Sequence, residues 1–331
     1  MFAPTVKPDW NREGRDWPNR AASRFVQAAG LRWHVQIMGE GPVLLLLHGA
    51  GAATHSWRDL APLLARDFRI VAPDLPGHGF TSTPSREDLS LPGMVRALGD
   101  LLAALELRPD TAVGHSAGAA LALRLRLDGR IGSGGVVSLN GALLPFPGAA
   151  GLVLPAMARL LFLNPLANQM FAWRADTPGA VARLIEGTGS KIDRLGLELY
   201  RRLFRTTGHV AGALGMMAHW DLNPLIADLG GLPPPLVLVA AANDRAVPPS
   251  VSRRIAMLAP DSTLLVLPSL GHLAHEEAPG RIAEIIRRAV QDRTVIDSSA
   301  ADSLPRREVI RRAHGAYRNR AAPSPPEQGS A

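Results

Sequence analysis

The sequence predicts an α/β protein: a mostly parallel central sheet with helices on both faces and a helical lid inserted late in the chain. Three observations carry this prediction. Short apolar runs alternate with helix-period stretches from about residue 43 to residue 140. The alternation then stops for a block, 142–220, that reads as mainly helical. Strand character returns afterwards at 235–239 and 263–267, before a last amphipathic helix. Alternating strands and helices build parallel sheets covered on both sides, and such sheets carry their ligands beyond the carboxyl ends of the strands.

The elements follow in order. Residues 1–22 are polar, with Trp10 and Trp17 among charges, and read as an arm that lies on the surface or is partly disordered. Arg24-Phe25-Val26-Gln27 and Leu31-Arg32-Trp33-His34-Val35-Gln36-Ile37 flank Gly30 and read as an antiparallel hairpin. Val43-Leu44-Leu45-Leu46-Leu47 is continuously apolar, as expected of a strand buried on both faces, and runs into His48-Gly49-Ala50-Gly51. A helix is expected over 56–65, then a strand over 68–72 ending in Pro73-Asp74-Leu75-Pro76-Gly77-His78-Gly79. Leu91, Met94, Val95, Leu98, Leu101, Leu102 and Leu105 recur at helical spacing. Thr111 to His115 is a strand leading to Ser116, and Gly135 to Leu139 another, ending at Asn140.

Within the helical block, Thr177-Pro178 makes an N-cap and first-turn pair, and Gly187 closes the helix it starts. One side of the block is apolar and the other carries Arg174, Arg183, Arg194, Arg201, Arg202 and Arg205. Ile282, Ile285, Ile286 and Val290 mark the last helix. The domain reading is therefore an arm over 1–22, a core over 23–141 and 221–291, a lid over 142–220, and a polar, disordered tail over 292–331 with a short helix near 305–313.

Composition narrows the chemistry. The chain has no cysteine, which excludes disulfides, thiolate metal sites and a cysteine nucleophile, and is compatible with a reducing cytoplasm. Its net charge of +7 raises the question of an acidic partner, but the arginines are dispersed and aromatics make up only 5%, so no nucleic-acid partner is expected. The first ten residues lack an apolar signal segment, and the uncharged stretch 131–158 is broken by Pro145, Pro147 and Pro155. Neither a leader nor a transmembrane segment is expected.

Four segments at expected strand ends carry the reactive residues. Gly114-His115-Ser116-Ala117-Gly118 reads G-x-S-x-G between a strand and a helix, a turn that lifts a serine hydroxyl above the sheet. A serine hydroxyl is a poor nucleophile and needs a base within hydrogen-bond reach. His272, after the strand 263–267, is the candidate base; His275, His115 and His78 compete for that role. Asp244, after the strand 235–239, is the candidate that orients the base and stabilises its protonated form. The alternative acid position holds Asn140, which cannot carry charge, and Asp221 reads as a helix-end residue. His48-Gly49-Ala50-Gly51 is the fourth segment: the amides of Ala50 and Ala117 are the candidate pair to meet the oxyanion of acyl transfer. The turn Asp74 to Gly79 is expected to brace the site. No metal or organic cofactor is required.

Together, His48-Gly49, Asp74-Leu75-Pro76-Gly77-His78-Gly79, the Ser116 turn, Asp244 with Val247-Pro248, and Gly271-His272 resemble the α/β-hydrolase superfamily over residues 23–290. The order Ser, Asp, His is the one expected there. Serine at 116, in place of aspartate, argues against dehalogenase and epoxide hydrolase chemistry. A narrower resemblance joins Trp17-Pro18-Asn19-Arg20, Leu31 to Gln36, Gly51-Ala52-Ala53-Thr54-His55-Ser56-Trp57, Thr188-Gly189-Ser190 and Met216 to Leu222. These segments resemble the magnesium chelatase accessory proteins of bacteriochlorophyll biosynthesis. That resemblance implies a role at magnesium insertion, chelatase subunits as partners, a porphyrin as the hydrophobic small molecule handled, and a cytoplasmic protein peripheral to the photosynthetic membrane. Leu143, Leu144, Phe146, Met216, Met217 and Trp220 are candidates to face a flat ring, and lid arginines to meet its propionates. Two other readings stay open: a general carboxylesterase-like hydrolase of a hydrophobic small molecule, and a non-catalytic porphyrin-binding or chelatase-assisting protein.

Overall fold

A computed structural model describes residues 6–145 and 165–291. Eight strands form one sheet in the order β1-β2-β4-β3-β5-β6-β7-β8. They are β1 (Ser23–Ala28), β2 (Leu31–Met38), β3 (Val43–Leu47), β4 (Arg69–Pro73), β5 (Thr111–His115), β6 (Gly135–Leu139), β7 (Leu236–Ala241) and β8 (Ser262–Leu267). β2 pairs antiparallel with β1 and β4; all other neighbours are parallel. The β1–β2 turn is Ala29-Gly30, both at positive φ, the geometry that matches a hairpin's twist. β5, β6 and β7 are buried along their whole length, which explains the wholly apolar β7; in β5 and β6 the polar Thr111, His115 and Ser138 are buried as well.

The helices are α1 (Leu60–Leu64), α2 (Leu91–Ala104), α3 (Ala117–Leu127), α4 (Pro165–Ala175), α5 (Ala180–Gly187), α6 (Arg194–Phe204), α7 (Thr207–Ala218), α8 (Asn223–Asp228), α9 (Pro249–Leu258), α10 (Ala274–Glu277) and α11 (Pro279–Gln291). One apolar cluster fills the face covered by α2 and α3, where Met94, Leu98, Leu101 and Leu121 are fully buried. The other lies under α1 and α11, around Trp57, Leu60, Ile282 and Ile286. Ser90 caps α2 by accepting the Gly93 N–H at 3.3 Å.

Two expectations need correction. The helix over 56–65 is instead a 3-10 turn, Thr54–Trp57, followed by the short α1. Pro62 is the cause: in a helix begun at 56 it would lack the N–H to bond back to Arg58 and would clash there. α5 begins at Ala180, because Gly179 adopts a left-handed conformation (φ 72°) that no continuing helix allows. The arm, most of whose described residues are exposed or half-buried, is anchored into the core through Trp17. Trp17 is 2% exposed, donates to Thr54 Oγ1 at 3.0 Å, and meets Phe80 edge-on. Upstream, Val6 bonds to the start of α7 in both directions, through Thr207 Oγ1 and the Gly208 N–H. The expected tail and its short helix fall outside the described residues. No described helix is long and apolar enough to cross a membrane.

Candidate active site

Ser116 joins β5 to α3 at φ 51°, ψ −117°, a conformation rare for a residue with a Cβ. Strain of this kind persists only when the surroundings enforce it. Here the Ser116 N–H is held by Leu139 O, and Ser116 O accepts from Ala119 and Ala142. Gly118 lets α3 approach the sheet: a Cβ there would run into the carbonyls of Leu47 and His48. Ser116 itself remains partly exposed.

Asp244 and His272 come from the loops after β7 and β8 and meet at 2.7 Å, His272 Nδ1 to Asp244 Oδ2. A carboxylate only accepts, so Nδ1 carries the proton and Nε2 presents a lone pair. Asp244 Oδ1 accepts the N–H groups of Ala246 and Val247 at 2.8 and 2.7 Å, which leaves Oδ2 for the imidazole. His115, the chain neighbour of Ser116, turns its ring away from the elbow and lies 4.7 Å from the His272 ring. Its Nε2 donates to the His272 carbonyl at 3.0 Å.

The loop after β3 is built as a rigid shelf. His48 Nε2 accepts from the Leu75 N–H, so its Nδ1–H donates to Gly49 O at 2.8 Å. With that carbonyl turned inward, planarity of the Gly49–Ala50 peptide turns the Ala50 N–H outward. Gly49 passes so close to the elbow that an added Cβ would lie 3.0 Å from Ser116 Cβ. Ala117 opens α3, where an N–H has no partner within the helix.

Asp74 braces this shelf from below. Fully buried, it accepts from Thr54 N–H (2.7 Å), Phe80 N–H (2.9 Å) and His34 Nδ1 (2.8 Å). Burial pushes its carboxyl up, but His34, with His48 and the Phe80 N–H, outweighs this and holds it well below the ordinary carboxylate range. His209 of α7 accepts from Gly79 N–H and donates to Gly51 O, both at 3.0 Å, so the inserted helices also grip the shelf. Burial lowers its pKa to about 3, so it stays neutral. Among the described residues no group of three or more His, Asp or Glu is arranged to hold a metal ion.

The competing histidines have other employments. His275 is buried with its pKa lowered to about 3, first by burial and then by His272 and Arg58; it donates to Ser56 Oγ at 2.8 Å. His78 is buried against Pro76 O. Asp221 is a surface residue that accepts the Asn223 N–H at the start of α8. Of the ring-facing candidates, Leu143 and Met216 are 0% and 1% exposed and belong to the core cluster, with Leu144 and Trp220 packed against it. Leu143 and Met216 therefore present almost no surface, whereas Leu144 and Trp220 are half-buried. Met217, on the other side of α7, is 43% exposed, and Phe146 lies outside the described residues. Arg201, Arg202 and Arg205 are engaged by Glu198, Asp16 and Asp176, which leaves Arg174, Arg183 and Arg194 exposed on the inserted block.

One residue that sequence reading takes only as a position unable to carry charge is brought by the structure to the centre. Asn140, at φ 47°, sends Nδ2 to the carbonyls of both Gly271 (3.1 Å) and His272 (2.8 Å), while its Oδ1 accepts the Ala241 N–H at 2.7 Å. An amide can do both at once, whereas a carboxylate would face those carbonyls with charge. Its position at the end of β6, beside the β7 and β8 loops, was the available signal.

The sheet order and the strained serine turn define an α/β-hydrolase fold, and comparison with known proteins agrees. The sequence profile of the alpha/beta hydrolase family matches residues 44–285. The chain belongs to that family. It is 41% identical to the magnesium-chelatase 30 kDa subunit of Rhodobacter capsulatus over 82% of this chain and 95% of that one. It is 28% identical to the 2-hydroxy-6-oxo-6-(2'-aminophenyl)hexa-2,4-dienoic acid hydrolase of Metapseudomonas resinovorans, over 84% and 94% of the two chains. Among solved structures, an alpha/beta hydrolase fold protein from Burkholderia ambifaria superposes with a TM-score of 0.64 at 26% identity, covering 80% of this chain and 97% of that one.

Proposed function

We propose that this protein assists magnesium insertion into a porphyrin in bacteriochlorophyll biosynthesis, and that it does so with a serine hydrolase site suited to ester-type bonds. The Asp244–His272 contact carries the chemical half of this reading, because it leaves the Nε2 of the neutral imidazole free to accept a proton, and Ser116 and His272 both follow the carboxyl ends of strands in the parallel part of the sheet. The relative named as a magnesium-chelatase subunit supports the biological half.

In this reaction His272 Nε2 takes the Ser116 proton as Oγ adds to the carbonyl carbon. Negative charge moves onto the carbonyl oxygen, which the N–H groups of Ala50 and Ala117 receive. His272 returns the proton to the leaving oxygen as the ester bond breaks. A water then repeats the two steps: His272 removes its proton, the hydroxyl adds to the acyl carbon, and Ser116 leaves reprotonated. The protein needs a hydrophobic small molecule, a porphyrin in the favoured reading, and contact with chelatase subunits; exposed Arg174, Arg183 and Arg194 suit carboxylates of either.

The second reading keeps the biological role and leaves Ser116 unused: a porphyrin-binding or chelatase-assisting protein on a hydrolase scaffold. It is favoured by the name of the same relative, which is that of a chelatase subunit and not of a hydrolase. One experiment separates them. A strain deleted for the gene is complemented with wild type or Ser116→Ala, and magnesium porphyrins are measured. The hydrolase reading expects failure with the variant; full rescue refutes it and leaves the assisting role.

A further inference from the structure

The segment Thr188-Gly189-Ser190 has no part in the chemistry described so far, yet it lies against both loops that carry the acid and the base. It follows α5 directly, fixed to that helix by N–H bonds from Thr188 and Gly189 to Ile185 O and Glu186 O. On one side it meets the Asp244 loop. Thr188 O accepts the Arg245 N–H at 3.0 Å, and the Gly189 Cα is pressed against Asn243 O so tightly that no Cβ fits. Gly189 also sits at φ 87°, so glycine is required there twice over. On the other side the segment meets the His272 loop. Ser190, fully buried, accepts the Leu273 N–H on Oγ at 2.7 Å, and Gly271 abuts Gly189 O and the Ser190 N–H with no room for a side chain.

The contacts bracket the pair. The turn touches the residue before and the residue after Asp244, and the residue before and the residue after His272, without being a partner of either triad side chain. The remaining polar groups of the His272 loop are held from the core: Gly271 N–H by Glu277 at 2.9 Å, and both carbonyls by Asn140. Ser190 supplies the hold on Leu273 N–H, from an element that belongs to the inserted block.

We propose that Ser190 is a positioning residue and that the 188–190 turn is a spacer that sets the Asp244–His272 separation. The proposal rests on the triad reading above for its catalytic consequence, but its structural part, the dependence of the Asp244–His272 bond on Ser190, stands apart from whether Ser116 reacts. Tyr200 provides the control. It too ties the inserted block to the segment after His272, donating to Glu276 Oε1 at 2.8 Å, and it shares an apolar cluster with Leu273, but its hydrogen bond goes to Glu276 and not to residues 243–245 or 271–273.

The test compares Ser190→Ala, Ser190→Thr and Tyr200→Phe in the full chain. Three quantities are read: the rate of Ser116 labelling by an alkyl fluorophosphonate between pH 5 and 9, the downfield NMR resonance of the His272 Nδ1 proton, and the melting temperature. Ser190→Ala is expected to slow labelling roughly tenfold to a hundredfold, the size of effect that a small misplacement of a catalytic group produces, and to broaden the resonance. Ser190→Thr, which keeps the acceptor oxygen, restores both. Tyr200→Phe lowers the melting temperature comparably and leaves labelling and resonance within twofold of wild type. Equal losses in Ser190→Ala and Tyr200→Phe, or no loss in Ser190→Ala, overturn the proposal. If wild type shows no labelling, the triad reading fails on its own, and the resonance alone decides: lost in Ser190→Ala upholds the spacer, unchanged refutes it.

Discussion

Replacing Asp244 by asparagine should leave the fold intact and nearly abolish nucleophilic reactivity, and the reason lies in the two oxygens of the carboxylate. Oδ1 accepts two backbone N–H groups, those of Ala246 and Val247, while Oδ2 accepts the imidazole. An asparagine has one oxygen. Placed on the backbone side it keeps two hydrogen bonds; placed on the imidazole side it keeps one and points its own N–H groups at two buried donors. Each unmet buried group costs about 1–3 kcal/mol, so the oxygen stays with the backbone and the amide nitrogen faces His272 Nδ1. The imidazole must then accept at Nδ1 and carry its proton on Nε2, the wrong tautomer for a base toward Ser116. The loss known for this kind of tautomer reversal is about 10⁴-fold in rate, or roughly 5.5 kcal/mol of barrier. Labelling of Ser116 by a fluorophosphonate, followed by mass spectrometry, measures it; circular dichroism and a melting curve report the fold. A variant that labels within tenfold of wild type would refute the assignment of Asp244 as the orienting acid.

Further outcomes follow from buried charge and close packing. Lys7 carries its Nζ into a closed, unpartnered position near Asp74, His78 and His209, and burial lowers its pKa from 10.5 to about 7. Between those values the unfolded chain holds more protons than the folded one, so stability should rise with pH from 7 to 10.5, and Lys7→Met should remove that rise and stabilise the protein below pH 7 by on the order of 4 kcal/mol in urea titrations. Asp74 has the opposite sign. Its folded pKa is depressed, so its contribution is complete above pH 4 and disappears as pH falls further; Asp74→Asn, which leaves His34 and two N–H groups competing for one oxygen, should lose about 3–5 kcal/mol at pH 7 by the same titration. Gly118→Ala should yield insoluble protein or a melting temperature lower by many degrees, since its Cβ meets the Leu47 and His48 carbonyls, backbone that cannot rotate aside.

The sheet and the loops that carry Ser116, Asp244 and His272 are legible in the sequence because each leaves a local mark. A strand buried on both faces is an apolar run wherever it pairs, and a strained serine turn needs glycines on both sides. The order Ser116, Asp244, His272 then assigns the loops without distances. What is not legible is long-range and backbone-mediated. Trp17 looks like a surface residue among charges, and only its distant partners, Thr54 through a hydrogen bond and Phe80, Leu199 and Leu203 in one apolar cluster, make it core. Lys7 is drawn inward because Val6 pairs with residues 201 or more positions away. Asn140 reads as the absence of an acid, although its amide does what no acid could. Leu143 and Met216 have the character of pocket residues, yet apolar character reports that a face is covered and does not say by what; here it is covered by the core.

The inserted helices hold the site together more than they close over it. His209 grips Gly51 and Gly79, Ser190 grips Leu273, and Tyr200 reaches Glu276, whose carboxylate also takes Arg58 at 2.5 Å and Ser56 at 2.6 Å. Arg58 in turn meets Asp193 at the start of α6, and Arg202 meets Asp16 of the arm. Swinging α5, α6 and α7 outward as a body would leave several of these groups buried without partners, and breaking a buried ion pair by removing one side costs about 3–5 kcal/mol by itself. Such a motion is not needed for access, because Ser116 is already partly exposed with every one of these bonds in place. A reagent for Ser116 is therefore expected to reach it without parting α6 from the His272 loop. Cross-linking those two elements tests this directly: a disulfide across them should leave the labelling rate of Ser116 within twofold of the reduced form, and a large loss on oxidation would show that the helices must part.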